Sequence, residues 1–352
     1  MAGLYSLTRP LLFQLEPEIA HRLTLAAIRT LGRIHPLNQY VADLCRGSLP
    51  AIPVEAMGLF FPNPVGLAAG LDKHAEAVDG LAALGFGFLE LGTVTPLPQA
   101  GNPRPRVFRL SGAQALINRM GFNSEGLNQF LTRLGQHQQQ AIIGINLGRN
   151  AATGNQNAWR DYLTGLRAVY RIADYVTINI SSPNTEGLRD LQEHDILDRL
   201  LQQLKDEQRR LADLHSKYTP IAVKISPDLN TDGIGQIAEV LIRRGIDGIV
   251  ATNTTITRPL DADVYPQVSQ TGGLSGAPLA ILSHRVITEL RQHTPPSFPI
   301  IAVGGIMDAA SAQAALSAGA TLIQLYSGLI YRGPALVREI LRALEAADAA
   351  GR

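Results

Sequence analysis

The feature that most constrains this chain is an eightfold alternation of short apolar runs with longer amphipathic stretches. The runs fall at 65–69, 86–94, 142–148, 175–181, 221–227, 248–254, 300–306 and 322–328, and each is nearly continuously apolar. That pattern marks parallel strands buried on both faces. Helical stretches separate them at 75–84, 125–138, 158–173, 192–217, 232–244, 279–292, 309–318 and 334–347. Eight strand–helix units in series predict an α/β fold, a (β/α)8 TIM barrel. A doubly wound open sheet shares the alternation, which does not by itself establish closure. Polar residues gather at the C-terminal ends of the runs, where barrels of this kind place their active sites.

A barrel takes about 250 residues, and the chain has 352. Three stretches hold the excess. Residues 57–64 read as a turn-rich hairpin crossing the barrel floor. Residues 255–276 form a long connection ending in QTGGLSG, and loops of that length are usually functional or mobile. Residues 1–50 precede the first strand. Pro17 opens a helical pattern there, with Ile19, Leu23, Ala26, Ala27 and Leu31 on one stripe, accompanied by Arg22, Arg29 and Arg33 and preceded by Leu11, Leu12 and Phe13. The stripe fits a helix packed on the barrel and equally a helix lying on a membrane surface. The expected organisation is an N-terminal helical extension, 1–50, and a barrel, 51–352.

Composition narrows the function classes. At 45% hydrophobic and 17% charged residues, the chain is globular rather than disordered. Thirty-one basic and 30 acidic residues leave no global field for nucleic acid. Cys45 is the only cysteine, which excludes an intrachain disulfide and Cys-rich metal or iron–sulfur sites. The eight histidines are scattered without ligand spacing, so no dedicated metal site is expected. No apolar run has bilayer-spanning length, and neither a secretory signal nor an Arg/Ser-rich presequence is recognisable. The chain reads as intracellular and mature.

Several motifs can carry chemistry. AAGLDK at 68–73 ends the first run; its small residues let a flat ligand approach the backbone, and Lys73 offers a cation. NRMGFN at 118–123 supplies two amides suited to carbonyls or ring nitrogens, although such loops also form plain turns. Asn146, Asn179 and Asn253 end three strands, and their convergence on one barrel face points to a planar, neutral, polar ligand. NISSPNT at 179–185 is the densest cluster. Ser182 there needs water exclusion and a proton route to act as a base; the GxSxG elbow of serine hydrolases is absent. Lys224 interrupts an apolar strand, and buried lysines are rarely structural unless paired. It could form a Schiff base or hold negative charge on a reduced cofactor. VGGI at 303–306 and Tyr326, Ser327 and Gly328 end strands seven and eight, the usual phosphate site of barrels, with glycine amides free to face phosphate oxygens.

These residues resemble dihydroorotate dehydrogenases of the quinone-dependent class 2, from about His21 to the C-terminus. The resemblance rests on six ordered motifs: AGLDK at 69–73, GTVTP at 92–96, NRMGF at 118–122, NISSPNT at 179–185, ATNTT at 251–255 and QTGGLSG at 270–276. It implies an FMN barrel that oxidises (S)-dihydroorotate to orotate in de novo pyrimidine synthesis, passing electrons to a membrane quinone. Ala69, Gly70, Thr93, Asn146, Asn179, Lys224 and Thr252 match flavin-contacting positions, and Gly276, Gly305, Tyr326 and Ser327 match the phosphate end. Lys73, Asn118, Arg119, Met120, Gly121, Phe122, Asn179, Asn184, Asn253 and Thr254 match substrate-contacting positions. Ser182 matches the class 2 base, where class 1 carries cysteine, and Thr185 could relay its proton. His21, Arg109 and Tyr326 match a quinone tunnel. The resemblance further implies peripheral contact with a lipid bilayer at the cytoplasmic face of a bacterial inner membrane, a processed mitochondrial form being the other reading.

Three alternatives stand beside this one: another FMN barrel acting on a different pyrimidine, a Schiff-base aldolase using Lys224, and a non-catalytic membrane-associated binding protein. Neither oligomeric state nor the preferred quinone is readable from the sequence.

Overall fold

The computed structural model of the protein describes residues 2–47, 49–138 and 141–350. Residues 1 and 48 of the expected extension, and 139, 140, 351 and 352 of the expected barrel, lie outside the described residues. Three helices come first, α1 (Ala2–Gln14), α2 (Pro17–Arg33) and α3 (His35–Arg46). A hairpin of β1 (Val54–Ala56) and β2 (Leu59–Phe61) follows. The next units are β3 (Val65–Leu67), α4 (Val78–Ala82), β4 (Phe88–Val94), β5 (Val107–Leu110), β6 (Ala115–Asn118), α5 (Gly126–Leu134), β7 (Ile142–Leu147), α6 (Ala158–Val169), β8 (Tyr175–Asn179) and α7 (His194–His215). The chain continues through β9 (Ile221–Ile225), α8 (Thr231–Arg244), β10 (Gly248–Ala251), β11 (Gly273–Gly276), α9 (Ala280–His293), β12 (Ile300–Val303), α10 (Ala309–Ser317), β13 (Leu322–Leu325), α11 (Ser327–Arg332) and α12 (Ala335–Ala350).

Strands β3, β4, β7, β8, β9, β10, β12 and β13 close into a parallel barrel in sequence order. Closure decides between the two topologies that the alternation left open. The floor is built as expected around the hairpin, whose Met57 and Gly58 both take left-handed backbone (φ 53° and 71°), as a two-residue hairpin turn requires. Phe61 thereby reaches Phe88 (ring centroids 5.1 Å apart), and Phe88 reaches Tyr175 (6.3 Å). Burying Phe61 and Phe88 stabilises the floor by roughly 1.5–3 kcal/mol each. Gly144 makes room for this layer, since a Cβ there would lie 2.1 Å from the Tyr175 ring.

Six of the eight barrel strands stop two or three residues before the expected ends; β8, for example, ends at Asn179 and β10 at Ala251. The residues beyond leave the ladder to form the mouth. The helix expected at 75–84 is only the five residues of α4. Asp72, buried at the start of that segment, accepts the backbone N–H groups of His74, Glu76 and Ala77. Those bonds hold 72–77 as a turn and delay the helix. The extension is helical, as expected. Unread in the sequence were the bounds of α1 and α3, the short α11, and an antiparallel sheet ordered β11-β6-β5. That sheet joins the second and sixth barrel connections and roofs one side of the mouth.

The stripe seen on α2 turns out to face outward. Ile19 and Leu23 are exposed, while Leu25 and Ile28 pack on the barrel core. Gly80 of α4 allows this approach, because a Cβ there would sit 2.2 Å from the Ile28 carbonyl. The helix is pinned at its N-terminal turn by buried Glu18, which pairs with Arg106 (2.8 Å) and Arg104 (2.9 Å) of the β4–β5 connection.

Candidate active site

The C-terminal mouth of the barrel holds a cleft with about 950 Å³ of space unfilled by protein atoms, solvent at its opening included. Strand ends supply its walls. Ala68, Ala69 and Gly70 leave β3, Thr93 lies on β4, Asn179 ends β8, Lys224 lies on β9, and Thr252 and Asn253 follow β10. The roof sheet adds Asn118, Ser275 and Gly276.

One end of the cleft is lined by backbone. Gly304, Gly305, Ser327 and Gly328 line it, and the N–H groups of Gly305, Ser327 and Gly328 have no protein acceptor among the described residues. Gly305 is left-handed (φ 74°), and a Cβ on it would strike the Ala280 backbone at 2.4 Å. Gly276 (φ 97°) is barred from a side chain in the same way by the Gln114 carbonyl at 2.2 Å. Ser327 Oγ is 3.0 Å from Ser275 Oγ, tying the α11 end to the roof. Free N–H groups of this kind suit an anion such as phosphate.

The other end is amide-rich. Asn184 Nδ2 donates to Asn118 Oδ1 (3.2 Å), and Asn253 Nδ2 donates to Ser181 Oγ (3.0 Å) and Asn179 Oδ1 (3.3 Å). Lys73 Nζ donates to Asn123 Oδ1 at 2.6 Å. Burial, with the Arg106 charge nearby, pulls the Lys73 ammonium down to a pKa of about 7. Ser182 is buried; its Oγ accepts the Asn184 N–H at 3.2 Å. No histidine bonds to it among the described residues, so a Ser-His-Asp relay has no second member here. Thr185 is also buried, and its Oγ1 has no partner among the described residues.

The floor of the cleft is polar and ordered. Asn179 Nδ2 donates to Asn146 Oδ1 (3.0 Å) and Thr93 Oγ1 (3.1 Å), and Thr93 Oγ1 donates to Asn146 Oδ1 (2.6 Å). Lys224 is buried without a hydrogen-bond partner among the described residues, and burial lowers its pKa. Gln324 Oε1 is likewise buried and unpartnered. A donor and an acceptor left open beside a flat Ala68–Gly70 wall fit the edge of a planar heteroaromatic cofactor. With the amide-lined phosphate end, the residues present fit FMN.

Nineteen of the residues singled out in the sequence line this one cleft, from Ala69 to Ser327. Five do not. Asn146 lies beneath it, wholly committed to Thr93, Asn179 and Glu90. The Arg119 side chain turns away, donating to Gln270 Oε1 and the Pro105 carbonyl and stacking 4.6 Å over Phe108. Thr185 is buried outside the lining. His21 and Arg109 lie on the side of the extension. Burial and the Lys73 charge lower the His21 pKa to about 4, leaving the imidazole neutral at pH 7. Arg109 stacks 4.2 Å over the Phe13 ring and donates to the Phe13 carbonyl at 2.9 Å. From there Phe13, Leu116, Met307, Tyr331 and Tyr326 form one apolar cluster, and Met307 and Tyr326 open into the cleft. Sequence reading missed Met307, Gln324 and Glu90. The signal for Glu90 was present: an acidic residue inside an apolar strand, the same kind of interruption that marked Lys224.

The family model described as dihydroorotate dehydrogenase matches residues 51–347. The chain belongs to the dihydroorotate dehydrogenase family. Its relatives in that family include the dihydroorotate dehydrogenase (quinone) of Chromobacterium violaceum, 53% identical over 340 residues and covering 97% of each chain. The protein of that name from Nitrosomonas eutropha is also 53% identical at the same coverage. Since the family model begins at residue 51 while these matches span nearly the whole chain, most of the helical extension is shared with the quinone-dependent dihydroorotate dehydrogenases. The crystal structure of the Eimeria tenella dihydroorotate dehydrogenase with ferulenol superposes with a TM-score of 0.83 at 36% identity, over 97% of this chain and 96% of that one. The ligand-free type from the same organism gives 0.79 at 38% identity, over 90% of this chain and 95% of that one. The resemblance to the class 2 dihydroorotate dehydrogenases drawn from six motifs is thus borne out.

Proposed function

We propose that this protein oxidises (S)-dihydroorotate to orotate in de novo pyrimidine synthesis, with FMN in the mouth cleft and a membrane quinone as final electron acceptor. The observation that carries the reading is the cleft itself: free backbone N–H groups at one end, and one cation among neutral amides at the other. Orotate is a planar ring with carbonyl and N–H edges and one carboxylate, which matches that division. Bound FMN supplies a two-electron hydride acceptor. It would be held by Gly276, Gly305, Tyr326 and Ser327 at its phosphate and by Ala69, Gly70, Thr93, Asn179, Lys224 and Thr252 along its ring.

The chain's own residues do the remaining work. Lys73 pairs with the substrate carboxylate. Asn118, Asn184, Asn253 and Thr254 read the ring edges and hold the carbon to be deprotonated against Ser182. Met120, Gly121 and Phe122 close over the ring through the roof. Ser182 Oγ takes the ring-carbon proton while the hydride leaves the adjacent carbon, so two electrons and two protons depart together. Thr185, buried with an unused hydroxyl, passes the proton on through water. Lys224, which lines the cleft, would supply positive charge to the cofactor ring. Asn146 acts from below, by orienting Asn179 and Thr93, and Arg119 by tying the roof to the 255–276 connection.

The extension, residues 1–50, forms the quinone path and the membrane contact. Leu7 and Leu11 of α1 and Leu23 of α2 are 73%, 66% and 53% exposed, and the cluster from Phe13 to Tyr326 leads inward from Arg109, which stacks on Phe13; neutral His21 stands near Lys73. No helix among the described residues is long and apolar enough to cross a bilayer, and such a face gives reversible attachment. The bacterial relatives support the cytoplasmic face of an inner membrane. Purified protein given dihydroorotate and a long-chain quinone should form orotate in step with quinone reduction. Turnover of neither, in flavin-bearing protein, overturns the reading.

A further inference from the structure

Glu90 stands on β4 inside the barrel, below the cleft and outside its lining. It is fully buried. Its Oε1 accepts the Asn146 amide at 2.8 Å; its Oε2 accepts from Gln324 Nε2 (2.7 Å), Tyr175 OH (3.0 Å) and Thr177 Oγ1 (3.1 Å). All four donors are neutral, and Tyr175 stays so because burial and Glu90 hold its pKa well above the ordinary value. A buried carboxylate needs a counter-charge. Burial lowers the Lys224 pKa, and the Glu90 charge opposes that. The neighbours from the other packed strands, Asn146, Asn179, Thr177 and Gln324, carry no charge.

We infer that Glu90 is a positioning residue for the redox site: it fixes the Asn146–Thr93–Asn179 chain and balances Lys224, so that the pair sets how far reduced cofactor is favoured over oxidised. This rests on the FMN reading above. Its two parts follow from the donor geometry. A Gln at position 90 can still accept from Gln324 and the hydroxyls through its one oxygen, but its amide then faces the Asn146 amide, donor against donor. Asn146 cannot turn over without abandoning Thr93 and Asn179. Removing the charge also leaves Lys224 alone in the barrel interior, where it sheds its proton at lower pH. Reduction of the cofactor by substrate hydride then draws one proton from solvent back onto Lys224, a coupling absent while Glu90 keeps that lysine charged.

The test is the midpoint potential of bound FMN against pH in wild-type protein, Glu90→Gln, Lys224→Gln and the double variant. In Glu90→Gln the preference for reduced over oxidised cofactor should stand above wild type at pH 6, where the Lys224 ammonium is unopposed. Relative to wild type it should fall at least tenfold between pH 6 and pH 9, about 30 mV for a two-electron couple. In the Lys224→Gln background, Glu90→Gln should shift the potential equally at pH 6 and pH 9. An unchanged potential in fully loaded Glu90→Gln, or an equal drop with and without Lys224, overturns the inference. Should Glu90→Gln not retain flavin, Glu90→Asp, which keeps the charge but withdraws it, carries the same comparison. Loss of flavin from both, with Lys224→Gln still loaded, overturns it too, by making Glu90 a folding residue. Wild-type protein that binds no flavin refutes the proposed function itself, an outcome distinct from a wild-type flavin indifferent to Glu90.

Discussion

Lys73 carries the most direct consequence at the scale of single residues. Burial and the Arg106 charge bring its pKa to about 7, so the free site is half-charged near neutrality. A substrate carboxylate binds the ammonium form. As pH rises above 7, binding must therefore take up a proton, and orotate affinity should fall. Calorimetry in buffers of different ionisation enthalpy should register that uptake near pH 8. Lys73→Met should abolish it and weaken binding at pH 6 by about 10- to 100-fold, the value of one charge-assisted hydrogen bond. Uptake persisting in the variant would assign the titration elsewhere. Ser182 gives the second expectation. Its Oγ meets only the Asn184 N–H, so Ser182→Ala leaves the surrounding amides in place. Flavin content and orotate binding should stay near wild type while anaerobic flavin reduction slows by about 10²–10⁴-fold, the range of a positioned base. Reduction at the wild-type rate in a stopped-flow instrument would remove Ser182 from the role.

At the scale of elements, Glu18 joins the extension to the barrel. Burial works against its charge, but the paired Arg106 and Arg104 outweigh that and hold its carboxyl below the ordinary range. Glu18→Gln leaves Arg106 buried without its partner, and breaking such a pair costs about 3 kcal/mol. The stability that a depressed carboxyl contributes is complete above the ordinary carboxylate range and is lost as pH falls through the folded value. The gap in unfolding temperature between wild type and variant should therefore be full at pH 7 and close toward acid. A gap independent of pH would deny the charge its part. Elements also show where sequence reading reached its limit. The barrel strands were legible because burial on both faces leaves an unbroken apolar run, and the site was legible because amides and lysines interrupt those runs at their ends. The roof strands β5, β6 and β11 are four residues long, and β11 joins β6 across about 150 residues of chain, so no local period reveals the sheet. The stripe on α2 was real, but periodicity says which residues share a face and not what that face meets. Only the packing of Ile28 on Gly80 shows that Ile19 and Leu23 look outward.

At the scale of the whole molecule, a rigid barrel presents one cleft, and an extension with an exposed apolar edge leads to it through Phe13, Tyr331 and Met307. The proposed function therefore assigns the two half-reactions to different parts of the chain. Replacing Leu7, Leu11 and Leu23 with serine removes the exposed edge without touching the buried Ile28 face or the cleft. Liposome binding and reoxidation by a long-chain quinone should fall together, with flavin reduction by dihydroorotate unchanged; loss of both half-reactions would make the edge a packing surface. Wild-type protein, purified without added cofactor and mixed anaerobically with dihydroorotate, should lose its bound-FMN absorbance in a single turnover, yield one orotate per flavin, and regain its colour when a quinone is added. FMN-loaded protein whose absorbance does not change on mixing would contradict the account.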